Sequence, residues 1–191
     1  MNTSRDDYEI RELSRDEFAP LFKANREKMF ADTLTFRAHD AMSEAETDAI
    51  GRLRKNLGQL YEFNLGLFYK NEFIGWSFGR QLDHERFYMV NSAIFPEHRG
   101  KGLYQEMLRI LTSRVSKEGF QIIYSRHAAT NSAVLVPKLK AGFIISGFEI
   151  SDLFGLLVHL SYFSNPLRRR MMDVRAGQAI PDQELRKYLP G

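Results

Sequence analysis

Pro96-Glu97-His98-Arg99-Gly100-Lys101-Gly102-Leu103-Tyr104 is the stretch on which the reading of this 191-residue chain turns. It follows an apolar run, Phe87 to Phe95, with the composition of a strand, and it precedes Leu103, Met107, Leu108, Leu111 and Val115, which recur at helical spacing. A strand therefore ends at Pro96, two glycines separated by one residue turn the chain, and an amphipathic helix begins at once. Such a turn gathers free backbone N–H groups and the positive end of a helix dipole around one point, a ready site for phosphate. Arg99 and Lys101 add positive charge beside it. The pattern is not a dinucleotide-binding fingerprint, because Gln105 stands where a third glycine belongs, and no G-x-x-x-x-G-K-[ST] run occurs.

Outward from this turn the elements alternate in type. Toward the N-terminus, YEIREL at 8 to 13 alternates like a short strand, and Ser14-x-x-Glu17 forms a capping box that starts a helix burying Phe18, Leu21, Phe22 and Met29. Pro20 should kink that helix or delay its start. A second helix is expected from about Met42 to Leu57, with Ser43-x-x-Glu46 as its cap and Ile50, Leu53 and Leu57 as its buried stripe. Period-two runs on either side of Lys70-Asn71-Glu72 read as an antiparallel hairpin. Toward the C-terminus, Gly119 ends the helix, FQIIYSR is a strand, Asn131 to Ala141 a helix closed by Gly142, and IISGFEI and LLVHLSYF two last strands. A hairpin meander followed by a β-α-β crossover implies an α/β fold of the α+β kind, with a mixed, mostly antiparallel sheet covered by helices.

The run strand-Pro-Glu-x-Arg-Gly-x-Gly-helix, followed by another strand, then Asn131 and eleven residues later Gly142-Phe143, resembles the GNAT superfamily of acyl-CoA-dependent N-acyltransferases. The likeness covers roughly residues 8 to 163. It implies that acetyl-CoA is the cosubstrate, its pyrophosphate resting on the amides of Arg99, Gly100, Lys101, Gly102, Leu103 and Tyr104. It also implies that the strand ending Ala93-Ile94-Phe95 parts from its neighbour and pairs with the pantetheine arm, the Ile94 N–H polarising the thioester carbonyl, while Asn131 holds the arm from the other side. Two positions depart from the family. Tyr104 stands where Gly or Ala is usual, and Lys138, preceded by Pro137, stands where many members carry a Tyr that protonates the departing thiolate.

Acyl transfer to an amine needs a neutral nucleophile, a polarised carbonyl and something to settle the thiolate. His127, four residues before Asn131, is the candidate base, because an imidazole titrates near working pH. The alternative is a satisfied structural histidine. Lys138 as an ammonium is the candidate for the thiolate, against a merely solvated helical lysine, and Tyr104 and Tyr124 are alternative acids, against packing. The implied reaction is direct attack by a primary amine on acetyl-CoA in a ternary complex, because no cysteine and no activated serine offers a covalent intermediate. A non-catalytic acyl-CoA sensor or assembly module is the rival. Gly75-Trp76-Ser77-Phe78-Gly79 matches G-x-S-x-G literally, but the apolar alternation runs through it, so its glycines read as a strand bend or a close backbone approach rather than a nucleophile elbow. His39, His84, His98, His127 and His159 are too scattered for a metal site.

Composition bounds the rest. Apolar residues make up 43% of the chain, with 15 Phe and 8 Tyr, enough for a sizeable core, and zero Cys excludes disulfides and thiolate metal sites. The acidic N-terminus opposes a secretory signal and no apolar run approaches the ~20 residues of a membrane span, so a cytoplasmic protein is expected. The whole net charge of +3 lies in residues 163 to 191, with Arg168, Arg169, Arg170, Arg175, Arg186 and Lys187 against Asp173, Asp182 and Glu184. Residues 1 to 165 thus read as the catalytic domain and 166 to 191 as a basic helical extension, a solvated tail or an arm for a homodimer. Nucleic-acid binding is not expected, because no aromatic residues interleave with the arginines. The acceptor, a small amine-bearing molecule or a protein, is left open by the neutral body.

Overall fold

Alternating strand and helix patterns resolve into one sheet with helices on both faces. The computed structural model describes residues 7–31 and 38–189, the side chains of 38 and 39 excepted. Residues 1 to 6, which carry most of the N-terminal reading, and the side chain of His39 lie outside the described residues. The strands are β1 (Tyr8–Leu13), β2 (Glu62–Tyr69), β3 (Glu72–Gln81), β4 (Arg86–Ile94), β5 (Ile122–Ala128), β6 (Ile144–Ser151) and β7 (Gly155–Phe163). The helices are α1 (Arg15–Met29), α2 (Glu44–Asn56), α3 (Leu103–Lys117), α4 (Ser132–Lys140), α5 (Pro166–Arg175) and the single turn α6 (Gln183–Arg186). The sheet has seven strands in the order β1-β2-β3-β4-β5-β7-β6. Every pairing is antiparallel except that of β4 with β5.

Side chains alternate across this sheet and build two cores. On one face Phe63, Leu65, Phe87, Met89, Ile123 and Leu160 meet Met107, Leu108, Leu111 and Val115 of α3. Each such buried side chain contributes roughly 1.5–3 kcal/mol relative to an exposed one. On the other face Phe18, Leu21 and Phe22 of α1 pack on Phe73 and Trp76, with the Phe22 and Trp76 rings edge to face at 5.3 Å. Lys70 and Asn71 both take positive φ, the two-residue turn that matches the twist of the β2–β3 hairpin.

Two expectations are corrected. Pro20 neither delays nor interrupts α1, which runs from the Ser14 capping box to Met29. The residue is exposed, so the carbonyl one turn back, which loses its N–H partner, faces water instead of the core. The stripe Ile50, Leu53 and Leu57 is not buried: these side chains are 36%, 65% and 60% exposed, and no residue of α2 is buried. Helical spacing states which residues share a face, and it does not supply a partner for that face.

The G-x-S-x-G match lies in mid-strand. A Cβ at Gly75 would come within 2.6 Å of the Ala93 carbonyl oxygen, and one at Gly79 within 2.4 Å of the Tyr88 carbonyl oxygen, so both glycines serve close approach of β4. Ser77, buried in β3, bonds Ser92 across the ladder at 2.8 Å.

Candidate active site

Parallel strands β4 and β5 pair only over Arg86↔Ile122, Phe87↔Ile123 and Tyr88↔Tyr124. Beyond Tyr88 the chain inserts one extra residue, Val90, because Met89 faces Gly79 and Asn91 faces Phe78 on the other neighbour. Such a bulge bends and twists its strand. Here it turns β4 away from β5 and opens a fork whose crotch is the Tyr88–Tyr124 pair. The backbone edges of β4 and β5 beyond that pair are left without each other.

Two helices start at the open end of the fork, α3 after β4 and α4 after β5, so both positive helix ends point toward it. Gly100 and Gly102 take φ of 75° and 76°, and a Cβ built on either meets nothing within 4 Å. Gly102 is the N-cap of α3 and offers no side-chain cap, so the first-turn amides of Leu103, Tyr104 and Gln105 have no helical acceptor. Leu103 is buried while Lys101 is exposed. Asn131 caps α4 by position only: its side chain makes no capping bond and is exposed.

Phe95 N–H bonds the Ile74 carbonyl at 3.0 Å, on the β3 side. Alternation along a strand therefore turns Ile94 N–H the other way, into the fork. Arg99 folds back and donates from Nε to the Ile94 carbonyl at 2.8 Å, joining the loop to the strand edge. His98, which the sequence reading weighed only as a metal ligand, anchors the same turn through Nδ1 and the Tyr8 hydroxyl at 3.1 Å.

Two of the other sequence-derived candidates, Lys138 and His127, come together on the α4 side of the fork. Lys138 is only 1% exposed. Its ammonium donates to Ser125 Oγ at 2.7 Å, lies 3.3 Å from Met89 Sδ, and sits 4.8 Å from the centre of the Phe143 ring. Ser125 and Met89 are the residues immediately after the crotch on the two strands, so this one side chain spans them. The bland reading of a solvated lysine is overturned, and burial lowers its pKa from the ordinary lysine value to about 7. His127 lies on the same face, and burial, with the Lys138 charge second, holds its pKa down to about 3. Its Nε2 is enclosed without a hydrogen-bond partner, so it is not a satisfied structural histidine either. Tyr104 turns inward against the core, its hydroxyl unpartnered, and burial pushes its pKa up.

A family model described as an acetyltransferase (GNAT) domain matches residues 8–144. The chain belongs to the GNAT acetyltransferase family. Solved structures agree with it in fold. A ribosomal-protein-S5-alanine acetyltransferase of Vibrio fischeri is 14% identical with a TM-score of 0.61, covering 85% of this chain and 96% of its own. YncA of Salmonella typhimurium, solved with its cofactor acetyl-CoA, is 14% identical with a TM-score of 0.61, over 92% of this chain and 98% of its own. PaiA N-acetyltransferase of Thermoplasma acidophilum, solved with coenzyme A, is 20% identical with a TM-score of 0.54, over 81% and 99%. No curated protein matches.

The sequence reading of this GNAT chain missed a second polar cluster, on the outer face of the fork. Tyr124 Oη lies 3.0 Å from His159 Nδ1, His159 Nε2 lies 2.8 Å from Glu149 Oε2, and Arg126 Nη1 lies 2.9 Å from both Glu149 oxygens. Its only signal in the sequence is that Tyr124 and Arg126 share a strand face, and the register of β7 and β6 against β5 is what brings His159 and Glu149 to them. Among the described residues there is no group of three His, Asp or Glu that could hold a metal ion, and no helix is long and apolar enough to cross a membrane.

Proposed function

We propose that this chain transfers the acetyl group of acetyl-CoA to a primary amine by direct attack in a ternary complex. The observation that carries the reading is the fork: two parted parallel strands whose open backbone edges lead to two uncapped helix starts. The residues present fit the cosubstrate. Arg99, Gly100, Lys101, Gly102, Leu103 and Tyr104 would hold its pyrophosphate with main-chain amides and charge, the left-handed glycines leaving the approach free of side chains. The open edge of β4 at Ile94 would pair with the pantetheine arm, Ile94 N–H facing the thioester carbonyl while Phe95 keeps its N–H on Ile74 and only borders the arm, and the uncommitted Asn131 would bond the arm from α4.

In the transfer, the amine nitrogen forms the C–N bond, the C–S bond breaks, and the thiolate leaves with the electron pair. Lys138 is the group we assign to that thiolate. With a pKa of about 7 it is partly protonated at neutral pH, and a buried ammonium gains most when a negative charge develops beside it. Tyr104, turned into the core, contributes its amide and not its hydroxyl. His127 is neutral throughout the working range, and its low pKa makes it a weak base.

We read residues 166 to 191 as an extension of a cytoplasmic enzyme rather than as a nucleic-acid arm. Three of its five arginines are ion-paired, Arg168 with Glu85 at 2.8 Å, Arg169 with Asp173, and Arg170 with Asp182 and Glu184.

Calorimetry with acetyl-CoA and thiol release over a panel of amines test the reading together. Binding with turnover supports it, while saturable binding without release from any amine favours the non-catalytic module. Gly102→Glu puts a strained backbone and a negative charge at the mouth of α3, and acetyl-CoA affinity should fall by at least about 100-fold. Undiminished binding removes the mouth from the site.

A further inference from the structure

Tyr124 closes the crotch of the fork, and its hydroxyl stands on the face opposite α3 and α4, because Ile123 and Ser125 on either side of it are buried toward those helices. Behind it the chain Tyr124–His159–Glu149–Arg126 runs across β5, β7 and β6, and Arg126 Nη2 reaches the Tyr88 hydroxyl at 3.5 Å. The cluster is half open to water, with the side chains of Arg126, Glu149 and His159 34%, 31% and 21% exposed.

The polarity of this chain follows from its far end. Hydrogen bonds from Arg126 and then His159 hold the Glu149 carboxyl below the ordinary carboxylate range, so Glu149 is ionised and can only accept. His159 Nε2 must therefore carry a proton and donate to it. In the neutral imidazole that leaves Nδ1 as a lone pair, and Tyr124 O–H donates to it. The phenol oxygen, having donated its own proton, then has a lone pair left with which to accept one from a group that enters the fork. This is the order hydroxyl, imidazole, carboxylate, in which an imidazole takes a proton and a carboxylate supports the resulting charge.

We propose that Tyr124, His159 and Glu149 form a proton relay that deprotonates the acceptor amine during acetyl transfer, Tyr124 being the group that touches the amine. The proposal rests on the acetyl-transfer reading above. As the C–N bond forms and the C–S bond breaks, the surplus proton on nitrogen passes to Tyr124 Oη while the Tyr124 proton passes to His159 Nδ1. Tyrosine is restored, and the imidazolium beside Glu149 returns its proton to solvent. Burial keeps the Tyr124 pKa above the ordinary phenol value, so the group acts as a neutral conduit and not as a phenolate. The ionisable groups facing it are Arg86 and Tyr88 from β4, Arg126 from its own strand, Glu149 from β6 and His159 from β7.

The test uses the full chain with acetyl-CoA and, as acceptors, spermidine, L-lysine and an alanine-amide peptide, following thiol release against pH. Tyr124→Phe and His159→Asn, which keeps an acceptor near the Nδ1 position but cannot take a proton, should each lower kcat by about 100-fold with the KM for acetyl-CoA unchanged. The double variant should be no slower than either, and the rise of rate with pH should be altered in His159→Asn. Nitrogen NMR of the wild-type imidazole should find the proton on Nε2. Rates and pH profiles equal to wild type, a loss of kcat matched by lost acetyl-CoA affinity and a lower Tm, or a proton on Nδ1 would each overturn the relay alone. A wild-type chain that releases thiol with none of these amines sinks the relay and the transfer reading together.

Discussion

The inner and outer faces of β5 hold similar side chains in contrasting states. Inward, Ser125 and His127 meet Lys138 in a dry site where the ammonium is served by a bond to Ser125 at 2.7 Å and a weak one to Met89 Sδ at 3.3 Å, and His127 Nε2 has no partner. Outward, Tyr124 and Arg126 join His159 and Glu149 in a half-hydrated chain in which each group has a partner. The inner pKa values are displaced far, both by burial, whereas the outer carboxylate is lowered by bonds it accepts. Desolvation stores free energy against the charged form, and hydrogen bonding in contact with water stores little. Residue parity along one strand thus separates a site poised to change its charge from a site poised to hand protons along.

Substitutions on the two faces should differ accordingly. The largest effect is expected at Lys138. Unfolded, it titrates near 10.5, and folded, near 7, so between those pH values the unfolded chain binds more protons and stability rises with pH. Lys138→Met should abolish that rise and stabilise the fold by about 3 kcal/mol at pH 7 in urea unfolding, while slowing transfer. A variant less stable than wild type with the slope intact would place the ammonium in water after all.

His127 comes next, with the opposite end of the pH scale. Its folded pKa, near 3, lies below the unfolded 6.5, so its contribution is complete above pH 6.5 and is lost as pH falls toward 3. His127→Leu should recover about 2 kcal/mol of that loss at pH 5, read from unfolding curves at pH 7 and pH 5. Ser125→Ala leaves Lys138 with only Met89 and Phe143, and should cost about 1–2 kcal/mol. On the outer face, Arg126→Gln should move Tm by less than about 2 °C, because half-exposed pairs contribute little. A shift as large as that of the inner variants would erase the contrast between the faces.

Much of the fold was legible because local rules and tertiary packing agree. Ser14 with Glu17 and Ser43 with Glu46 form the capping boxes read from spacing alone, and Gly142 closes α4 at φ 93°. The exposed stripe of α2 shows where such rules stop, since amphipathicity names a face without a neighbour. At the site, the glycine turn and Asn131 were visible as a motif, but the burial of Lys138 was not. Nothing in Val-Pro-Lys-Leu-Lys distinguishes the first lysine from the second, and only the rotation of α4 against the sheet sends Lys138 inward while Lys140 stays exposed.

Sequence by itself determined the order of elements, the turn at Gly100 and Gly102 and the family, because these depend on periodicity, capping and φ freedom, which act within a few residues. Tertiary structure decided the fork and its two polar faces. The bulge at Val90 exists only against β3, and His159 and Glu149 reach Tyr124 only through the register of three strands. Partners 35 to 49 residues apart meet by pairing geometry and packing, which no local pattern encodes.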